Sequence, residues 1–175
     1  MNKGGQFYLI VAVILIAIIL SFAVVANRSQ IRESNIFKNL GEELEIESES
    51  VLDYGIHQEY NDNELSFLMK NFTEYYSDYT QIENSYYVFG DNTNVSVAGY
   101  RRYSDYGLMV DNDLGQSTID LPAGDYVYQY YENPGNYISL IIKDTTYNLT
   151  LGTGKSFYFI LSQEIGGEDY VITNF

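Results

Sequence analysis

The chain has 175 residues, of which 24 are acidic and 9 basic (net charge −15), with 19 Tyr, 9 Phe, one His and neither Cys nor Trp. A surface this acidic repels phosphate backbones, which argues against nucleic acid as a partner. Without Cys there are no disulfides, thiol catalysis or thiolate metal sites, and a lone His leaves no room for a His-rich zinc site.

In chain order, the first element follows MNKGG. Residues 7–26 contain no charge, no Gly and no Pro. Twenty residues of α-helix span about 30 Å, the thickness of a bilayer's hydrocarbon, so a transmembrane or assembly helix is expected over 6–26. A cleavable secretory signal fits less well, because its apolar core is roughly 7–15 residues and precedes a small-x-small site. An all-round apolar helix buried in a soluble domain would need a larger protein around it. Lys3 precedes the run while Arg28, Arg32 and Lys38 follow it, a bias that would place the distal side in the cytoplasm. The distal domain is long enough to escape that short-loop count. It also holds most of the four N-x-S/T sequons, at Asn27, Asn71, Asn94 and Asn148, which are candidate N-glycosylation sites, although roughly two are expected by chance.

The residues Lys3-Gly4-Gly5-Gln6-Phe7, running directly into the apolar stretch, resemble the start of archaeal prepilins, the class III signal-peptide proteins of the type IV pilin and archaellin kind. The resemblance implies a short basic leader, 1–5, removed by a prepilin peptidase on the cytoplasmic side, with Gly5 the last leader residue and Gln6 the first mature one. It further implies that the apolar helix is retained, first as a membrane anchor and then as the core of a filament of like subunits. The N-terminus would be cytoplasmic and the C-terminal domain extracellular. Many type IV pilins carry Glu at the fifth mature position; Ile10 stands there in this chain. The stretch LGEELEIESESVLDYG is also similar to small archaeal envelope proteins.

Residues 27–55 read as an amphipathic continuation of the same helix. Phe37, Leu40, Leu44 and Val51 form a narrow apolar stripe, widened by Ile36 and Leu52. Glu33, Glu42, Glu43, Glu45, Glu47 and Glu49 fill the other face, a solvated surface. Gly41 suggests a bend and Gly55 a C-cap. Within 56–82 a second helix is expected, N-capped by Asn63, with Leu65, Leu68, Phe72, Tyr75 or Tyr76, and Tyr79 on one face. From 83 to 175 come eight short β-rich runs: YYVF, VSVAGY, YGLMV, YVYQYY, YISLII, YNLTL, FYFIL and YVIT. Their connections are too short for crossover helices, which predicts antiparallel neighbours. Tyr126–Tyr131 and Tyr137–Ile142, joined by Asn133-Pro134-Gly135-Asn136, read as a hairpin. The many tyrosines suit half-buried strand faces, or a contacting surface.

Four constellations invite chemistry and are better explained structurally. Asp111-Asn112-Asp113-Leu114-Gly115, with Asp120 beyond, begins like a calcium loop but has Gln116 where the loop needs Gly and no Glu at the twelfth position, so a polar turn is expected. His57 sits where it would meet a helix dipole, and no Gly-x-Ser-x-Gly turn offers it a nucleophile. Gly152-Thr153-Gly154-Lys155-Ser156 lacks the first Gly and four-residue gap of a phosphate loop and reads as a hairpin. Arg101-Arg102 reads as a salt-bridge site or, less simply, a docking point for an acidic neighbour.

The fold class expected is therefore α+β: a long N-terminal helix, transmembrane then amphipathic, a second short helix, and an antiparallel β domain of about eight strands, as a sandwich or curved sheet. The function expected is a pilin-like structural subunit of an archaeal surface filament, a glycoprotein with no catalytic residues, metal or cofactor. Its partners would be copies of itself or related subunits, the membrane and the peptidase. The alternative is a signal-anchored, non-polymerising surface module for binding or adhesion; an anchored enzyme has no supporting acid–base pair or nucleophile.

Overall fold

The structure is a computed structural model that describes residues 3–103 and 106–175, and the side chains among them except those of 3–11, 23, 25, 27, 30 and 106. Two compact units divide the chain, residues 1–37 and 38–175. Helix α1 (Lys3–His57) supplies helical backbone to both, and helix α2 (Asp62–Thr80) belongs to the second. Nine strands complete the second unit: β1 (Asn84–Gly90), β2 (Asn94–Arg101), β3 (Tyr106–Asn112), β4 (Gly115–Leu121), β5 (Tyr126–Glu132), β6 (Tyr137–Ile142), β7 (Thr145–Thr150), β8 (Ser156–Ile165) and β9 (Glu168–Thr173).

The strands form two sheets, ordered β5-β2-β1-β8-β9 and β4-β3-β6-β7, and every pairing is antiparallel. Strand alternation decides the layers. Tyr86 and Val88 on β1, Val95 and Val97 on β2, and Ile160 on β8 point to one side of the five-stranded sheet. There they meet Leu108, Val110, Ile119, Leu121, Ile138, Leu140 and Leu149 of the four-stranded sheet in one buried core. The interleaved residues point to the other side, where Phe89 joins Leu65 and Met69 of α2, with Val51 and Leu52 of α1 and Phe157 of β8 packed around them. The second unit thus has three layers: helices, five-stranded sheet, four-stranded sheet.

The expected fold is corrected on several points. A long N-terminal helix, transmembrane and then amphipathic, is not upheld: residues 1–37 and 38–175 fall into two compact units, each described by itself. Among the described residues no helix is long and apolar enough to cross a membrane. Among the described residues the strands number nine rather than about eight. The missed strand is β4, whose sequence GQSTIDL buries only Ile119 and Leu121 and so lacks an apolar run.

The expected hairpin across 126–142 is also corrected. β5 pairs with β2 in one sheet and β6 with β3 and β7 in the other, so Asn133-Pro134-Gly135-Asn136 is a corner between sheets. It is held by partners that no local pattern reveals: Asn133 N donates to Thr93 O at 2.6 Å, Asp113 N to Pro134 O at 3.2 Å, and Asn136 N to Asp113 Oδ2 at 3.2 Å. Likewise the 152–155 turn is not a hairpin, because it carries the chain from β7 to β8 in the other sheet.

Two glycines serve close packing. A Cβ on Gly41 would stand 2.7 Å from Ile172 Cγ2 of β9, so this residue admits a strand side chain against the helix. Gly55 is not a C-cap: α1 continues to His57, and a Cβ on Gly55 would meet Leu65 Cδ2 of α2 at 2.5 Å. The left-handed residue after α1 is Glu59, at φ 56°. The N-cap of α2 is Asn61, not Asn63. Its Oδ1 accepts from Asn63 N and Glu64 N, while Glu64 Oε2 accepts from Asn61 N, a complete capping box.

Candidate functional site

Residues 3–37 are helical, and their described side chains are largely exposed. Nine large apolar side chains between Val13 and Val24 are 46–71% exposed. Gly5 and Gln6 lie in the helical backbone, but their side chains, like that of Asn27, fall outside the described residues, as do Met1 and Asn2 of the leader.

The remaining sequons are scattered over the second unit. Asn71 is exposed on α2, yet its partner Thr73 is buried, donating to Met69 O at 2.9 Å and sharing a 2.6 Å hydrogen bond with Tyr126 Oη. Asn94 is half-buried at the start of β2, and its Ser96 is buried against Tyr128 Oη at 2.6 Å. Asn148 on β7 is exposed together with Thr150, and its Oδ1 accepts from Ser139 Oγ at 2.7 Å. Of the three, Asn148 presents the more open sequon.

The other singled-out groups have structural employment. Asp111–Gly115 forms the turn between β3 and β4, where Asn112 Oδ1 accepts from Leu114 N at 2.9 Å. Among the described residues no group of three or more His, Cys, Asp or Glu is placed to hold a metal ion. His57 is exposed in the last turn of α1. Arg101 is buried and donates from Nε to Asn84 Oδ1 at 3.1 Å; Arg102 donates to Gln81 O at 3.0 Å, capping the end of α2. Arg101 and Lys143 line a cleft of about 170 Å³ between the sheets, shared with Asp169.

Lys155, in the loop before β8, is the chemical centre that sequence reasoning undervalued. Its ammonium lies 2.8 Å from Asp91 Oδ2 in the β1–β2 turn and 3.1 Å from Asp62 Oδ2 in the first turn of α2. Asp91 is 7% exposed, and its other oxygen accepts from Thr93 N, Thr93 Oγ1 and Asn94 N at 2.8, 2.6 and 3.0 Å. Burial alone would raise the Asp91 carboxyl's affinity for a proton. The bonds from Lys155, Thr93 and Asn94 outweigh it and hold the group well below the usual carboxylate range. On Lys155 burial likewise opposes the charge, and the two carboxylates overcome it, raising its pKa. This ion triad latches α2 to the sandwich.

Tyrosine hydroxyls fasten the layers elsewhere. Tyr76 Oη donates to Leu40 O of α1, Tyr87 Oη meets Ser77 Oγ of α2 at 3.0 Å, and Tyr131 Oη meets Ser117 Oγ of the facing sheet at 2.9 Å. Burial pushes the phenols of Tyr86 and Tyr87 up to about 12.

Beside the latch, α2 and β5 leave an open groove of about 260 Å³ lined by Asn63, Ser66, Phe67, Lys70, Tyr128 and Tyr130. Phe67 is 63% exposed and Tyr130 40%. Tyr128 is fixed by Ser96, and the Lys70 ammonium lies 5.8 Å from its ring centroid. The Tyr130 phenol titrates above its ordinary value, through burial first and then the nearby Glu132 charge.

Compared with known proteins, the chain matches no family model, no curated protein and no solved structure.

Proposed function

We propose that this chain is a pilin-like structural subunit of a surface filament, assembling through its N-terminal apolar segment and displaying the acidic sandwich outside the cell. The observation that carries this reading is the exposure of the apolar side chains between Val13 and Val24. Each gains about 1.5–3 kcal/mol when fully buried, so a surface of nine seeks cover. Identical helices packed side by side supply it, and the acidic exterior keeps the distal domains soluble and apart.

Lys3-Gly4-Gly5-Gln6-Phe7 supports the same reading. Removal of a leader between Gly5 and Gln6 by a prepilin peptidase takes the Lys3 cation out of an apolar helix bundle, where it would be costly. The test is the intact mass and N-terminal sequence of protein sheared from cells, with electron microscopy of the same material. A chain starting at Gln6 within filaments is the expected result. A chain retaining Met1 or Asn2, without filaments, would establish the non-polymerising surface module instead. A start near Asn27 would remove the assembly segment and the proposal with it.

A further inference from the structure

We propose that the groove between α2 and β5 is a binding site for a neutral saccharide chain. Two exposed aromatic side chains, Phe67 and Tyr130, line it, and a third, Tyr128, lines it with the Lys70 ammonium over its ring. Flat aromatic rings present an electron-rich face that suits the C–H faces of a pyranose ring. Between them stand the donors and acceptors a sugar's hydroxyls require: the Asn63 amide, the Ser66 hydroxyl, the Lys70 ammonium and the Tyr130 phenol.

The walls are preorganised, which lowers the cost of binding. Asn63 sits on a helix end fixed by the Asn61–Glu64 capping box and by the Lys155–Asp62 ion pair at 3.1 Å. Tyr128 is held by its 2.6 Å bond to Ser96, and Lys70 by the Tyr128 ring. The groove is open rather than enclosed, which suits a chain passing through it better than a compact apolar molecule. Charge selects the class of ligand. Among the described residues Lys70 is the one cation lining the groove, the nearby Lys155 is paired with Asp62 and Asp91, and the whole chain carries −15, so a polyanion is repelled.

Calorimetric titration of the full chain in a zwitterionic detergent provides the test. The probes are linear hexasaccharides of glucose, mannose and N-acetylglucosamine, with polygalacturonate as the polyanion. At least one neutral hexasaccharide should bind, with a dissociation constant of roughly 0.1–1 mM. Tyr130→Ala and Phe67→Ala should each weaken it about tenfold. Both residues are exposed, so the fold survives truncation, which circular dichroism verifies. Tyr79→Ala, exposed on α2 outside the groove, should bind as the parent does. The proposal is overturned if none of the three neutral probes binds, if binding persists in folded Tyr130→Ala and Phe67→Ala, or if only polygalacturonate binds.

Discussion

The stretch from Val13 to Val24 and the strands β1 and β6 draw on the same apolar side chains and meet opposite fates. Val88, Ile138 and Leu140 are at most 1% exposed, whereas Ile16, Ile19 and Phe22 stand at 57%, 65% and 71%. The strands find their cover within the chain, because alternation aims each inward residue at a facing sheet. The N-terminal residues are apolar around the whole helix, a pattern that demands a surrounding environment. Apolar composition therefore reports the need for a partner, and periodicity reports whether one face of the same chain suffices.

That contrast can be broken in order of expected effect. Ile16→Asp with Ile19→Asp should abolish sedimentable assemblies while the thermal melt of the sandwich stays where it is. A melt that shifts with the assembly would merge the two regions into one. Leu140→Ala should do the reverse, costing about 2–5 kcal/mol in urea denaturation of the sandwich and leaving N-terminal association intact. Lys155→Met should cost about 2 kcal/mol, because it leaves the buried Asp91 carboxylate without its cation. Tyr126→Phe should cost about 1 kcal/mol through loss of the bond to Thr73.

Acid sharpens the account of the latch. The Asp91 carboxyl has a folded pKa below its ordinary value of about 3.9, so its stabilisation is full above about pH 4 and is lost as the pH falls through the folded value. The urea midpoint should drop between pH 5 and pH 2.5 in the parent, and by less in Lys155→Met. At the other extreme, burial raises the phenols of Tyr86 and Tyr87 to about 12, so their contribution is complete below about pH 10 and disappears as the pH rises through 12.

The sequence made the β-rich half legible wherever apolar residues alternate between turn signals, as at YYVF and VSVAGY. β4 was illegible because two buried residues at a sheet edge make no pattern. Sheet membership was illegible too. Asn133-Pro134-Gly135-Asn136 satisfies turn chemistry equally well in a hairpin and in a corner between sheets, and only the distant Thr93 and Asp113 decide. On α2 the apolar face was placed near enough, but Tyr75 and Tyr79 lie exposed and stacked on one another at 6.2 Å, while Met69 and Tyr76 fill the core. Lys155 was visible only as part of a failed phosphate loop, because its partners Asp62 and Asp91 lie far away in sequence. The groove between α2 and β5 has no local signal at all, since its walls come from segments about sixty residues apart.

The most direct test of the assembly claim exploits the absence of native Cys. Ile19→Cys and, separately, Leu114→Cys on the β3–β4 turn place a single thiol on each of two exposed surfaces. Oxidative crosslinking of material sheared from cells should convert the first variant to disulfide-linked dimers and leave the second monomeric. Monomers at Ile19→Cys, or equal crosslinking at both positions, would contradict assembly through the N-terminal segment.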